Sequence, residues 1–157
     1  MTRIRGALLG ALVLLPSLKV VAQQPAAAAV TLQQFGKLKW LVGAWQGSGG
    51  GYPAFFEDYR MLDDSTIGMR SFAGADLSKV KDSARIELRG GAVYHHGRGS
   101  REVAVEFTGG TIHFVPAANG RGGFTFSRQA ADLWIATLHS DTPGGREIIY
   151  TMRRLRQ

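Results

Sequence analysis

Pairs of turn-forming residues divide most of this sequence into short segments in which apolar and polar side chains alternate. Gly90-Gly91 and Gly109-Gly110 each separate two such segments, and Asp63-Asp64 separates two more. Paired glycines supply the positive φ angles that two-residue hairpins need, so each pair predicts a tight reversal between antiparallel strands. Strands joined in this way lie side by side in chain order. The sequence therefore predicts an all-β fold, an antiparallel up-and-down meander.

Closing such a meander pairs its first strand with its last and leaves no exposed edge, so we predict a barrel of about eight to ten strands. A sandwich built from the same strands is the alternative. The predicted strands are 44–47, 55–62, 66–72, 84–89, 92–97, 103–108, 111–115, 123–128, 132–139 and 146–155.

A short helix is predicted before the first strand. Leu32, Phe35 and Leu38 recur at three-residue spacing behind Thr31, a possible N-cap, and Gly43 ends the pattern. Because the segment 132–139 is apolar on both faces, we expect the helix to pack on the outer face of that strand.

Alternation also predicts which side chains point into the core. These are the apolar residues spaced two apart, namely Ile86 and Leu88, then Val103, Val105 and Phe107, then Ile112 and Phe114, then Phe124 and Phe126.

The first 22 residues have the pattern of a signal peptide. Arg3 and Arg5 precede a short apolar run, and Val20 and Ala22 are the small residues expected before a cut at Gln23. The run 7–15 is much shorter than the roughly 20 residues that span a bilayer, so we predict no permanent membrane span after cleavage. We therefore expect export to the periplasm or the exterior. Residues 23–30 are predicted to be a disordered leader, and residues 31–157 a single domain.

The charge pattern does not favour nucleic-acid binding. The chain carries a net charge of +7, and three of the basic residues belong to the predicted signal peptide, which leaves +4. The remaining basic residues alternate with apolar ones along strands and do not form a stripe with interleaved aromatics, which is typical of solvated sheet faces. The chain has no cysteine, so no disulfide can form.

The segment around Gly43-Ala44-Trp45, which follows Trp40-Leu41, resembles the calycin superfamily, which includes lipocalins and nitrobindin-like haem barrels. That resemblance implies a barrel whose base is closed by Trp45, with an arginine of the last strand, Arg153 or Arg154, lying across the indole. Over residues 38–155 the chain is similar to an uncharacterised family of exported bacterial lipocalin-like domains. The nitrobindin-like proteins bind haem through a histidine near the last strand, and 146–155 contains none, so no cofactor is expected.

Glu57 and Tyr59 are the strongest candidates for a binding site. They share a face with Phe55 and Met61, which places a carboxylate and a phenol inside the barrel if that face points inward. A buried carboxylate needs a partner, and we predict Arg70, Arg85 or a histidine for that role. Tyr94 and His96, which share a face, complete the predicted set of ligand-binding residues.

These residues predict a barrel that binds a small, mainly apolar ligand in its lumen without catalysis. Two alternatives stay open. One is a secreted hydrolase or isomerase that uses Glu57 and His96 as an interior pair, and the other is a barrel filled by its own side chains. A metal site is not expected, because His95 and His96 point to opposite faces and His113 lies on the outer face.

Overall fold

The computed structural model describes residues 29–118 and 120–156. The chain begins with a short α-helix, α1 (Leu32–Phe35), which runs directly into a 3₁₀-helix (Gly36–Leu41). Ten strands follow, β1 (Gly43–Gly49), β2 (Tyr52–Asp63), β3 (Thr66–Phe72), β4 (Val80–Arg89), β5 (Ala92–His96), β6 (Arg101–Phe107), β7 (Thr111–Pro116), β8 (Gly123–Ala130), β9 (Leu133–His139) and β10 (Ile148–Arg154).

The ten strands form one closed barrel in which every strand pairs antiparallel with its neighbours in the chain. β1 also pairs with β10, with Trp45 opposite Arg154 and Gly49 opposite Tyr150. The predicted up-and-down barrel is therefore confirmed, and the sandwich alternative is wrong. Within the described ranges, no helix is long and apolar enough to cross a membrane.

The predicted signal peptide 1–22 lies outside the described residues, as does the predicted leader 23–30 except for its last two residues. Of these two, Val30 donates its backbone N–H to the carbonyl of Gly91 at 2.8 Å and packs against the core. Contacts with the barrel therefore begin at least one residue before the N-cap Thr31.

The two glycine pairs make different turns. Gly90 and Gly91 adopt φ angles of 60° and 78°, as the hairpin prediction requires. Gly109 and Gly110 do not adopt positive φ. In their turn the hydroxyl of Thr108 accepts hydrogen bonds from the backbone N–H groups of Gly110 and Thr111. The reversal was predicted correctly at both places, and its mechanism at only one.

The helical segment closes one end of the barrel. Phe35, Leu38 and Leu41 are fully buried there, and Thr31 forms a capping box with Gln34. The expectation that the helix packs on the outer face of β9 is wrong. Trp40 of the 3₁₀-helix packs on Trp134, which points to the inner face of β9, with ring centroids 6.0 Å apart.

The base beside this helical segment is built around Trp45. The guanidinium carbon of Arg154 lies 4.3 Å from the Trp45 ring centroid, and Nη1 of Arg154 donates to the carbonyl of Val42 at 3.1 Å. Gly43, at φ 127°, leaves the space that the guanidinium occupies, because a Cβ at this position would overlap it. Of the two candidate arginines, Arg154 makes this contact. Arg153 points outward and is exposed.

The inner face of β6 differs from its prediction. Glu102 and Ala104 point inward, as the pairing of Glu102 with the inward His95 requires. Val103 and Val105 therefore face outward, against the prediction, and Val105 is 53% exposed. Phe107 packs against the core as predicted, because the extra residue of a bulge between Ala104 and Glu106 reverses the facing of the residues after it. Alternation predicted the inward residues of β4, β7 and β8 correctly.

Candidate functional site

A cavity of about 250 Å³ lies within the barrel. It extends from Trp134, which packs on Trp40 and Trp45 above the helical end, towards Leu138, which is 37% exposed. The wall is almost entirely apolar, and five of its side chains are phenylalanine, tyrosine or tryptophan besides Tyr59. The lining residues are Phe55, Glu57, Tyr59, Met69, His95, Phe124, Phe126, Trp134, Ala136, Leu138, Tyr150 and Met152.

Glu57 and Tyr59 bring polar groups to this wall. Two residues apart on β2, they share the inner face, and the hydroxyl of Tyr59 donates to Oε2 of Glu57 at 2.8 Å. Burial raises the pKa of Glu57 to about 6, although the hydrogen bond from Tyr59 acts in the opposite direction. Burial and the neighbouring carboxylate raise the pKa of Tyr59 well above its usual value, so it remains a donor.

The remaining members of the predicted set do not reach the cavity. Arg70 lies on the outer face of β3, where its Nη2 donates to Oδ2 of Asp58 at 2.9 Å. The same carboxylate accepts from Nε of Arg60. The expected pairing of Arg70 with Glu57 is therefore wrong, because Arg70 lies opposite Asp58, which follows Glu57 on β2 and faces outward. Arg85, the other arginine expected there, also lies on the outer face, 3.5 Å from Glu87.

Tyr94 and His96 also lie on the outer face. Tyr94 packs beneath the guanidinium of Arg101, at 4.4 Å from the ring centroid, and Nε2 of His96 lies 3.4 Å from Glu87. The barrel wall thus separates His96 from Glu57. The interior pair that the enzyme alternative required does not form.

His95 is the histidine that faces the lumen, and the sequence reasoning did not select it. Its Nδ1 lies 2.8 Å from Oε2 of Glu102, its cross-strand partner on β6, and the two side chains are 15% and 11% exposed. The His95 ring packs edge-on against Phe124 with centroids 5.0 Å apart. The Gly90-Gly91 turn could have revealed this, because it pairs Leu88 with Val93 and so turns Val93 and His95 inward.

A larger groove, of about 580 Å³, lies on the outer surface of β2 to β5. Its charged groups already have partners, either in the groove or beside it. Asp58 is held by two arginines, and Glu87 lies 3.5 Å from Arg85 and 3.4 Å from His96. We favour the smaller lumen cavity as the candidate site, because its carboxylate has no cationic partner among the described residues.

The other histidines do not assemble a metal site. His139 contacts Thr125 through Nε2 and Glu147 through Nδ1, each at 2.7 Å, and His113 lies on the outer face beside it. Within 29–118 and 120–156, no group of three or more His, Asp or Glu side chains is placed to hold a metal ion.

Comparison with known proteins adds little to this picture. No protein-family model matches the chain, and no curated protein matches it. Among solved structures, the chain is similar to a redesigned β-barrel at 10% identity and a TM-score of 0.38, over 75% of this chain and 94% of that one. The TM-score is too low for this likeness to indicate a family or a function. The barrel itself can hold a ligand.

Proposed function

We propose that this protein is an exported, non-catalytic barrel that binds a small, mainly apolar molecule in its lumen. The observation that carries the proposal is the cavity of about 250 Å³, whose wall combines aromatic and aliphatic side chains with the few polar groups of Glu57, Tyr59 and His95. An apolar pocket with a small number of placed polar groups is the usual form of a small-molecule site.

The cavity volume limits the size of the ligand. An engineered apolar cavity of about 150 Å³ in another protein holds benzene, and a water molecule takes about 30 Å³ of liquid. The present cavity of about 250 Å³ therefore has room for one ring and a short substituent. It is smaller than the roughly 300–1,000 Å³ of most drug-sized pockets, which argues against haem or a long-chain lipid as the occupant.

Membership of the calycin superfamily and export belong to the same proposal. The stacking of Arg154 on Trp45, with Gly43 beside it, supports the first. Export rests on the pattern of residues 1–22 alone. N-terminal sequencing of the protein recovered from outside the cytoplasm tests it, and an intact Met1 would contradict it.

A cavity-filling variant tests the binding function. Ala136 lines the cavity, so the three extra carbon atoms of Ala136→Leu are expected to occupy about a third of its volume and to leave no room for a ring together with its substituent. Calorimetric titration with 2-phenylethanol should detect binding to the wild type and at least about tenfold weaker binding to this variant. Thr137→Leu adds the same side chain at the next position, on the outer face, and serves as the matched control.

Absence of any binding to the wild type would contradict the proposal, and so would unchanged affinity in Ala136→Leu. Either result would favour a barrel with a structural role.

A further inference from the structure

The lumen contains a carboxylate that lacks a cationic partner, and this bears on the ligand of the proposed function. Tyr59 is the hydrogen-bond donor that the structure gives to Glu57. No Lys, Arg or His of the described residues forms an ion pair with it. Arg70, which the sequence offered as a partner, lies on the other side of the wall and pairs with Asp58.

His95 does not supply the missing charge, because it already contacts Glu102. If the His95 ring is neutral, the lumen carries the charges of both carboxylates. If it is protonated, its charge cancels only that of Glu102. In both states Glu57 leaves the lumen with a net negative charge at neutral pH, since its pKa of about 6 keeps it mostly ionised there. An anionic ligand such as a fatty acid would be repelled.

Aromatic rings surround the same space. Phe55 and Tyr150 pack edge to face with centroids 5.2 Å apart, and Phe126 lies 4.8 Å from Trp134. The faces of such rings attract ammonium groups, most strongly where water is excluded. The Glu57 side chain is half-buried before any ligand arrives, so binding a cation adds only part of the desolvation cost of the carboxylate.

We propose that the ligand is a small organic cation, a primary or N-methylated amine attached to a single apolar ring, with its ammonium group on Glu57 and its ring among the aromatic side chains. This inference rests on the proposed lumen-binding function and names the chemical class of its ligand. Tyr59 positions the Glu57 carboxylate, and the hydrocarbon wall selects the size of the ring.

Three probes of nearly equal size test the sign of the charge. They are 2-phenylethylammonium, 2-phenylethanol and phenylacetate, titrated calorimetrically at about pH 7.5. A charged hydrogen bond together with a cation–π contact should make the ammonium bind at least about tenfold more tightly than the alcohol. Phenylacetate should bind more weakly than either.

The variant Glu57→Gln removes the charge and keeps an acceptor for Tyr59. It should reduce the preference for the ammonium over the alcohol to about threefold or less and leave the affinity for the alcohol nearly unchanged. Glu87→Gln is the matched control, because it removes a carboxylate from the outer face of β4. It should leave both affinities as they are in the wild type.

The possible results distinguish a failure of the cation inference from a failure of the proposed lumen-binding function. If the alcohol binds and the ammonium does not bind better, lumen binding stands and the cation inference is overturned. An ammonium preference that survives in Glu57→Gln also overturns it. If no probe binds, both fail.

Acidification provides a second readout that does not need the variant to fold. The groups facing Glu57 across the lumen are Tyr59, Tyr150, His95 and Glu102. From a pKa of about 6, the ionised fraction of Glu57 falls about tenfold between pH 7.5 and about pH 5, and ammonium binding should fall with it. A pH-independent ammonium affinity would overturn the inference.

Discussion

Replacing Glu57 by Gln is expected to stabilise the barrel at neutral pH and to leave its stability almost unchanged in acid. The pKa of Glu57 rises from 4.5 to about 6 on folding because the side chain is buried. The folded state therefore holds the proton more tightly than the unfolded state. This contribution is fully present below about pH 4.5 and is lost as the pH rises through about 6.

The size of the effect follows from the shift. The rise in the pKa of Glu57 from 4.5 to about 6 corresponds to a cost of about 2 kcal/mol for the ionised form relative to the protonated form in the folded state. Gln resembles the protonated form at every pH. Glu57→Gln should therefore exceed the wild type by about 2 kcal/mol in free energy of unfolding at pH 8, and by close to zero at pH 4.

Urea denaturation of both proteins at the two pH values, followed by circular dichroism, measures this difference. Comparing the two proteins matters, because Asp63 and Asp76 have lowered pKa values and change the stability of both in the opposite direction on acidification. A variant whose advantage is the same at pH 4 and pH 8 would refute the reasoning. So would a wild type that gains on the variant as the pH rises.

Three further substitutions test how the barrel is built. Gly123→Ala should cost about 3 kcal/mol in free energy of unfolding, because φ is 92° and a Cβ would overlap a backbone carbonyl oxygen. Gly120→Ala, at φ 64° in open space, should cost about 1 kcal/mol. Equal losses in urea denaturation would contradict this. Arg154→Lys keeps the charge but loses the planar stack on Trp45, so thermal unfolding should show a loss of about 1 kcal/mol, and unchanged stability would count against the stack. Thr31→Ala removes the capping box and should cost about 1 kcal/mol by the same assay, whereas Thr31→Ser should not.

Most of the architecture could be predicted from the sequence because short turns leave few topologies open. A two-residue reversal such as Gly90-Gly91 forces neighbouring strands to pair, and closure then removes the edges. The bulge between Ala104 and Glu106 could not be predicted, because neither glycine nor proline marks it. It brings Phe107 to the inner face, although regular alternation from the inward Ala104 would have placed Phe107 outside.

Strand alternation predicts part of the candidate site, and it does so only where no bulge interrupts it. Glu57 and Tyr59 lie on a strand without a bulge between Phe55 and Met61, so counting by two placed them in the lumen. Arg70 and His96 have suitable chemistry, but residue type alone does not say which face of the sheet a side chain occupies. Each lies one position from an inward residue, and adjacent residues of a strand point to opposite faces of the sheet. To predict that His95 faces the lumen, the register of the β4–β5 hairpin has to be followed residue by residue from its turn.

Methyl NMR tests lumen binding most directly, because methionine methyl groups lie both inside the cavity and away from it. Met69 and Met152 line the cavity, whereas Met61 lies in a groove beside the helical end together with Leu32. Titration of protein carrying labelled methionine methyl groups with 2-phenylethanol should shift the Met69 and Met152 signals in a saturable way and leave that of Met61 nearly unchanged. Shifts confined to Met61, or none at saturating probe, would contradict a ligand site in the lumen.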